Sequence, residues 1–136
     1  MSDESTRLAQ SAREAARSGS ASEAEKLYQQ LLKLAPEHIG ALSFLSFMAK
    51  GRGELKTSRE LLIRALDVDQ NSAVLWRNLG ILDTDSANHE LARSSFEKAL
   101  ELDPGQAINH LYLADTLEAL ELLEPAIRHY LAATTL

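Results

Sequence analysis

The chain has 136 residues, a size that suits one compact domain or one short array of repeats. A net charge of −6 and the absence of cysteine exclude a nonspecific grip on nucleic acid, disulfides, thiolate catalysis and cysteine-based zinc sites. A 45% hydrophobic and 25% charged composition is that of a globular protein, no apolar run is long enough for a membrane span, and the polar, acidic start carries no secretory signal, so a cytoplasmic chain without a membrane partner is expected.

Leu, Ala, Glu, Lys and Arg outweigh the three Phe, three Tyr and single Trp, which favours helices over strands. A fixed period organises those helices. Leu-Lys-Leu-Ala-Pro36 and Leu-Glu-Leu-Asp-Pro104 stand 68 residues apart, twice 34, with Asp-Val-Asp-Gln70 midway. Twelve residues before each phrase ends stand the small residues Ala24, Ser58 and Ala92, and eight before stand the large Tyr28, Leu62 and Phe96. The units are 5–38, 39–72, 73–106 and a shorter 107–136, each with two apolar stretches of helical spacing. In the first unit the break falls at Gly19, and Ser22 with Glu25 reads as a capping box for the second helix. In the second the break falls at Gly53. The third carries Trp76, Leu79, Gly80 and Leu82, then Leu91, Ala92, Phe96, Ala99 and Leu100. In the fourth, Pro125 sits in the first turn of the last helix, a place that tolerates proline. The sequence stops inside that helix, which leaves Leu123, Ile127, Tyr130 and Leu131 without a covering element. A longer protein, an end-to-end homodimer or a frayed last helix would each account for this, and the first is favoured.

The pattern resembles the tetratricopeptide repeat family. Trp76, Leu79, Gly80, Ala92, Phe96, Ala99 and Pro104 stand at the family's spacing in the third unit; Leu8, Ala12, Gly19, Ala24, Tyr28 and Pro36 do so in the first. Leu42, Leu45, Ala49, Gly53, Leu62 and Ala65 follow in the second, and Leu113, Ala114, Leu117, Ala126, Tyr130 and Ala133 in the fourth. Departures are Ala12 and Ser46 for glycine, Asp83 for tyrosine and Gln70 for proline. The resemblance implies an all-α fold, an α-α superhelix (right-handed solenoid) forming one domain over 1–136, with Trp76 and Phe96 filling the volume between neighbours. It also implies a concave groove lined by the first helix of each unit. Its lining would be Ala9, Arg13 and Arg17, then Phe44, Phe47 and Lys50, then Arg77, Asn78 and Ile81, then Leu111, Tyr112 and Asp115. The apolar members, Phe44, Phe47, Ile81, Leu111 and Tyr112, are not required for stacking and point to an interaction site; packing of Phe44 and Phe47 on adjacent first helices is the other reading. Some family members clamp the C-terminal carboxylate of heat-shock chaperones with Lys and Asn residues. Ala9, Arg13 and Phe44 stand at three of those places, so that partner is disfavoured.

Other chemistry is sparse. Asp83-Thr-Asp85 begins like a calcium loop but has Asn88 at the glycine place and Ser94 at the final glutamate place, so a solvated loop is the better reading. His38, His89, His110 and His129 form no H-x-x-x-H pair; the first two read as loop residues and His110 as partly buried. No phosphate loop, dinucleotide fingerprint or nucleophile elbow appears, and no metal or cofactor is expected. The leading function is a non-catalytic module that binds a peptide or helix of a partner protein. The alternative is the front domain of a larger enzyme, such as an aspartyl/asparaginyl hydroxylase or a glycosyltransferase.

Overall fold

A computed structural model describes residues 2–136. These residues form eight α-helices: α1 (Asp3–Arg17), α2 (Ala21–Leu34), α3 (Ile39–Gly51), α4 (Leu55–Val68), α5 (Ala73–Asp85), α6 (His89–Leu102), α7 (Ala107–Ala119) and α8 (Leu123–Thr134). They pack as hairpins, α1 on α2, α3 on α4, α5 on α6 and α7 on α8. The fold is an all-α helical repeat. Contacts divide it into two compact units, the first ending at Val68 and the second spanning Asp69–Leu136. Among the described residues no helix is long and apolar enough to cross a membrane.

Each hairpin turns the same way. Gly19 and Gly53 have φ of +83° and +79°, and the same places in the later hairpins hold Ala87 and Glu121 at +59° and +62°. At each turn the next amide closes a six-residue ring back onto the helix: Ser20 N–H donates to Ala15 O, Glu54 to Ala49, Asn88 to Asp83 and Leu122 to Leu117, at 2.8–2.9 Å. A second bond runs from the left-handed residue itself, as from Gly53 N–H to Lys50 O. This pairing satisfies carbonyls that the helix end would otherwise leave open. At the far end of α2 and α6, Ala35 and Asp103 leave the helix, with φ of −135° and −144° and ψ of 79° and 85°, and the prolines that follow them disfavour a return to helical backbone.

Small residues set how closely the two helices of a hairpin cross. Ala12 meets this need with Ala24, Ser46 with Ser58, Gly80 with Ala92 and Ala114 with Ala126, and all are buried. At Gly80 even a methyl is too much, since a Cβ would lie 2.6 Å from Cε1 of Phe96. The serine pair fits because its hydroxyls are satisfied: Ser46 Oγ and Ser58 Oγ are 2.8 Å apart and Ser58 Oγ donates to Ser46 O at 2.8 Å. The first unit's core gathers these alanines with Tyr28, Leu31 and Leu45, and the second unit's gathers Phe96, Leu113 and Leu117.

Several expectations need correction. Ser22 lies inside α2, whose N-cap is Ser20 with no side-chain bond, and Glu25 is instead paired with Arg52. Asp83 is no loop residue: it belongs to α5 and is only 2% exposed. His38 is the N-cap of α3, its Nδ1 accepting from Ala41 N–H at 3.1 Å, and His89 begins α6. Trp76 is half-buried rather than a core filler, because its indole N–H turns to donate to the Gln70 carbonyl at 2.8 Å.

Candidate functional site

In the first unit, Arg13 and Arg17 stand one turn apart on α1, on one face and exposed. Ala9, expected on that same face, is 1% exposed and belongs to the core. On α3 the two phenylalanines separate. Phe44 turns onto α2, its ring centroid 4.8 Å from that of Tyr28, and packs against the core. Phe44 is therefore a structural contact with one free edge rather than a free anchor. Phe47, three residues on, is 69% exposed. Lys50 is half-buried one turn further along α3. His38, at the start of α3, is held below the ordinary histidine value by burial first and then by the positive charge of Arg13.

In the second unit, Arg77, Asn78 and Ile81 lie half-buried on α5, with Ile81 packed against the core. On α7, Leu111 is 39% exposed. Tyr112, the next residue, stacks on Phe96 with ring centroids 5.2 Å apart and planes 5° from parallel. This repeats the Tyr28–Phe44 contact 68 residues on, so Tyr112 also serves the core with part of its ring. Asp115 is exposed and accepts from the Tyr130 hydroxyl at 2.5 Å, and Glu118 approaches the same hydroxyl at 2.9 Å. One phenolic proton serves one carboxylate at a time. The bond to Asp115, burial and the bond to Glu118 together push the Tyr130 phenol above its usual range. Tyr130 thus fixes an acidic pair at this end of α7, a role its apolar spacing in the sequence gave no sign of.

The structure also joins two histidines that sequence spacing kept apart. His110 on α7 and His129 on α8 bring their Nδ1 atoms to 3.0 Å. Burial, His110 and Arg128 hold His129 below the ordinary histidine value, against the opposing pull of Glu97. Among the described residues no three His, Asp or Glu side chains converge on one point.

Residues 75–106 match the tetratricopeptide repeat family. Over 84 residues, 60% of this chain, the sequence is 34% identical to human protein O-mannosyl-transferase TMTC3, of which it spans 9%. Human tetratricopeptide repeat protein 7B is 27% identical over 85 residues, with 10% of its length spanned. The chain therefore covers about a tenth of these human relatives. The crystal structure of MamA superposes with a TM-score of 0.88 at 18% identity, over 96% of this chain and 77% of that one. An O-GlcNAc transferase from Thermobaculum terrenum superposes with a TM-score of 0.76 at 29% identity, over 86% of this chain and 23% of that one. With a matched repeat at 75–106, a left-handed turn residue and a small crossing residue at every 34th position and this likeness in fold, the chain carries a tetratricopeptide repeat at 75–106 and is similar to that family along its length.

Proposed function

We propose that the chain is a non-catalytic docking module in the cytoplasm, which holds a peptide or helix of a partner protein on the exposed faces of α1 and α3 in the first unit and α5 and α7 in the second. Phe47 carries this reading. A phenyl ring 69% exposed on a helix that otherwise spends its aromatic and aliphatic residues on the core is a ready anchor for an apolar side chain. Charge distinguishes the two units. Arg13, Arg17 and Lys50 belong to the first unit, whereas Asp115 and Glu118 belong to the second, so an acidic stretch suits one and a basic stretch the other. The exposed stripe Leu123, Ile127 and Leu131 on α8 supports self-association of two copies as a secondary mode.

The test compares proteins captured by the wild-type chain with those captured by Phe47→Ala and by an Asp115→Asn/Glu118→Gln variant. Phe47→Ala removes an exposed group, so it is expected to leave the melting temperature nearly unchanged and to weaken capture by more than about 1 kcal/mol. Identical capture by all three chains refutes the proposal. A second reading, part of a larger glycosyltransferase, draws on the names of TMTC3 and the Thermobaculum enzyme, in both of which the matched segment is a minor share. A reading frame that continues past Leu136 into a catalytic domain would decide for it.

A further inference from the structure

The two imidazoles that meet between α7 and α8 stand where the first two repeats pack apolar side chains and the third has Trp76 and Ser95. In the first repeat the same two places are Leu8 and Leu27, both packed on the core, and in the second they are Leu42 and Leu61. Here His110 and His129 replace that apolar pair and bring their Nδ1 atoms to 3.0 Å, with ring centroids 5.3 Å apart and planes tilted by 31°. Both rings are half-buried, so solvent and small ions reach them. They line a cavity of about 380 Å³ together with Leu113, Leu117, Glu97 and Glu101.

Left alone, the contact is a single N–H···N hydrogen bond, which requires one ring as the Nδ1–H tautomer and the other with its Nδ1 lone pair free. The same separation is also the bite of a chelate. At metal–nitrogen distances of 2.0–2.1 Å, nitrogens 3.0 Å apart subtend about 94° at the ion. A tetrahedral ion such as Zn²⁺ wants about 3.3–3.4 Å between its nitrogens, whereas cis positions on a tetragonal ion want about 2.8–3.0 Å. We infer that His110 and His129 form a two-imidazole chelate for a divalent late transition-metal ion of tetragonal geometry, Cu²⁺ in preference to Zn²⁺. The order of intrinsic affinities for nitrogen ligands points the same way. The Nδ1 proton of the donor ring moves to its Nε2 through solvent, so both Nδ1 lone pairs meet the ion and no net proton is released. Since no third His, Asp or Glu converges with them among the described residues, water completes the coordination shell. Glu97 and Glu101, which line the same cavity, are held in exposed ion pairs with Arg93 and Lys98.

The test is a calorimetric titration of the full chain with Cu²⁺ and, separately, with Zn²⁺, joined to electron paramagnetic resonance of the Cu²⁺ form. One Cu²⁺ per chain is expected, bound at least about tenfold more tightly than Zn²⁺, with the hyperfine pattern of two nitrogen donors. His110→Asn and His129→Asn each put an amide where Nδ1 was; both are expected to keep the hydrogen bond and the helical circular dichroism, yet lose at least about tenfold in Cu²⁺ affinity. His38→Asn and His89→Asn are expected to bind as the wild type does. Absence of saturable binding, affinity that survives His110→Asn and His129→Asn, or equal affinity for the two ions overturns the inference. The resonance spectrum reads the donor set in the unaltered chain, so it decides the matter even where a variant fails to fold.

Discussion

Replacing Ala87 by glycine is expected to stabilise the protein, because the turn between α5 and α6 holds an alanine in the left-handed region at φ +59°. An L-residue with a Cβ loses about 1–2 kcal/mol there relative to glycine. Against this, glycine adds freedom to the unfolded chain at a cost of about 0.4–1 kcal/mol. The difference leaves a net gain of up to about 1.6 kcal/mol, about 0.8 kcal/mol at mid-range, a rise of roughly 3 °C in melting temperature for a chain of this length. Glu121→Gly at φ +62° should act alike. The reverse exchange, Gly19→Ala or Gly53→Ala, should lose a similar amount. Its cost is conformational alone, since a Cβ at either glycine meets nothing within 4 Å. Urea unfolding followed by circular dichroism reads the whole chain. Trp76, the only tryptophan, reads the second unit by fluorescence and should report Ala87→Gly most directly. A midpoint lowered by Ala87→Gly, or unmoved by Gly19→Ala, would refute the argument that the backbone, rather than packing, fixes these turns.

Gly80→Ala should destabilise by about 1–3 kcal/mol, because the new methyl would stand 2.6 Å from a ring atom of the buried Phe96; adding Phe96→Leu should return part of the loss in the same urea experiment. Asn109 is fully buried with neither amide atom hydrogen-bonded, and Leu75 occupies the same place one repeat earlier, so Asn109→Leu should gain about 1–3 kcal/mol; an unchanged midpoint would mean that an internal water satisfies the amide. The folded chain holds the His38 imidazole below its ordinary value of about 6.5, so the unfolded chain takes up the proton first, and the stability His38 supplies is complete above that pH and lost as pH falls through the folded value. His38→Asn, which keeps a capping acceptor without titrating, should flatten the fall in stability between about pH 7.5 and pH 5 measured by melting temperature.

The repeat was legible because four copies of one hairpin share the same spacing of small and large residues. Gly19 and Gly53 mark two turns outright, and their period locates the other two at Ala87 and Glu121, where no turn residue stands. The small residues at the crossing were equally plain. Side-chain direction was not. Phe44 and Phe47 share a face of α3, and it is the Tyr28 ring that packs Phe44 against the core, whereas Phe47 stays exposed. Trp76 stands where the family packs a large side chain, yet its indole N–H finds the Gln70 carbonyl and holds the ring half in solvent. His110 and His129 are 19 residues apart, a spacing with no helical meaning until two antiparallel helices are laid side by side.

Two neighbouring places in the repeat explain why the fold was easier to read than the site. At Ala12, Ser46, Gly80 and Ala114 the side chain points into the crossing of two helices, and the 2.6 Å that a Cβ at Gly80 would leave to Phe96 allows nothing large at that place. One residue on, about 100° around the helix, stand Arg13, Phe47, Ile81 and Asp115. They are a cation, an aromatic, an aliphatic and an anion, and the hairpins carrying them turn with the same left-handed residue and the same hydrogen bonds. The first place is uniform because packing density leaves it no choice. The second is diverse because packing asks less of it: Ile81 packs on the second unit's core and Asp115 takes the Tyr130 hydroxyl, whereas Phe47 is 69% exposed. A side chain there is informative about a partner to the extent that the core does not use it. By that measure Ile81, half-buried against the second unit's core, says least, and Phe47 says most.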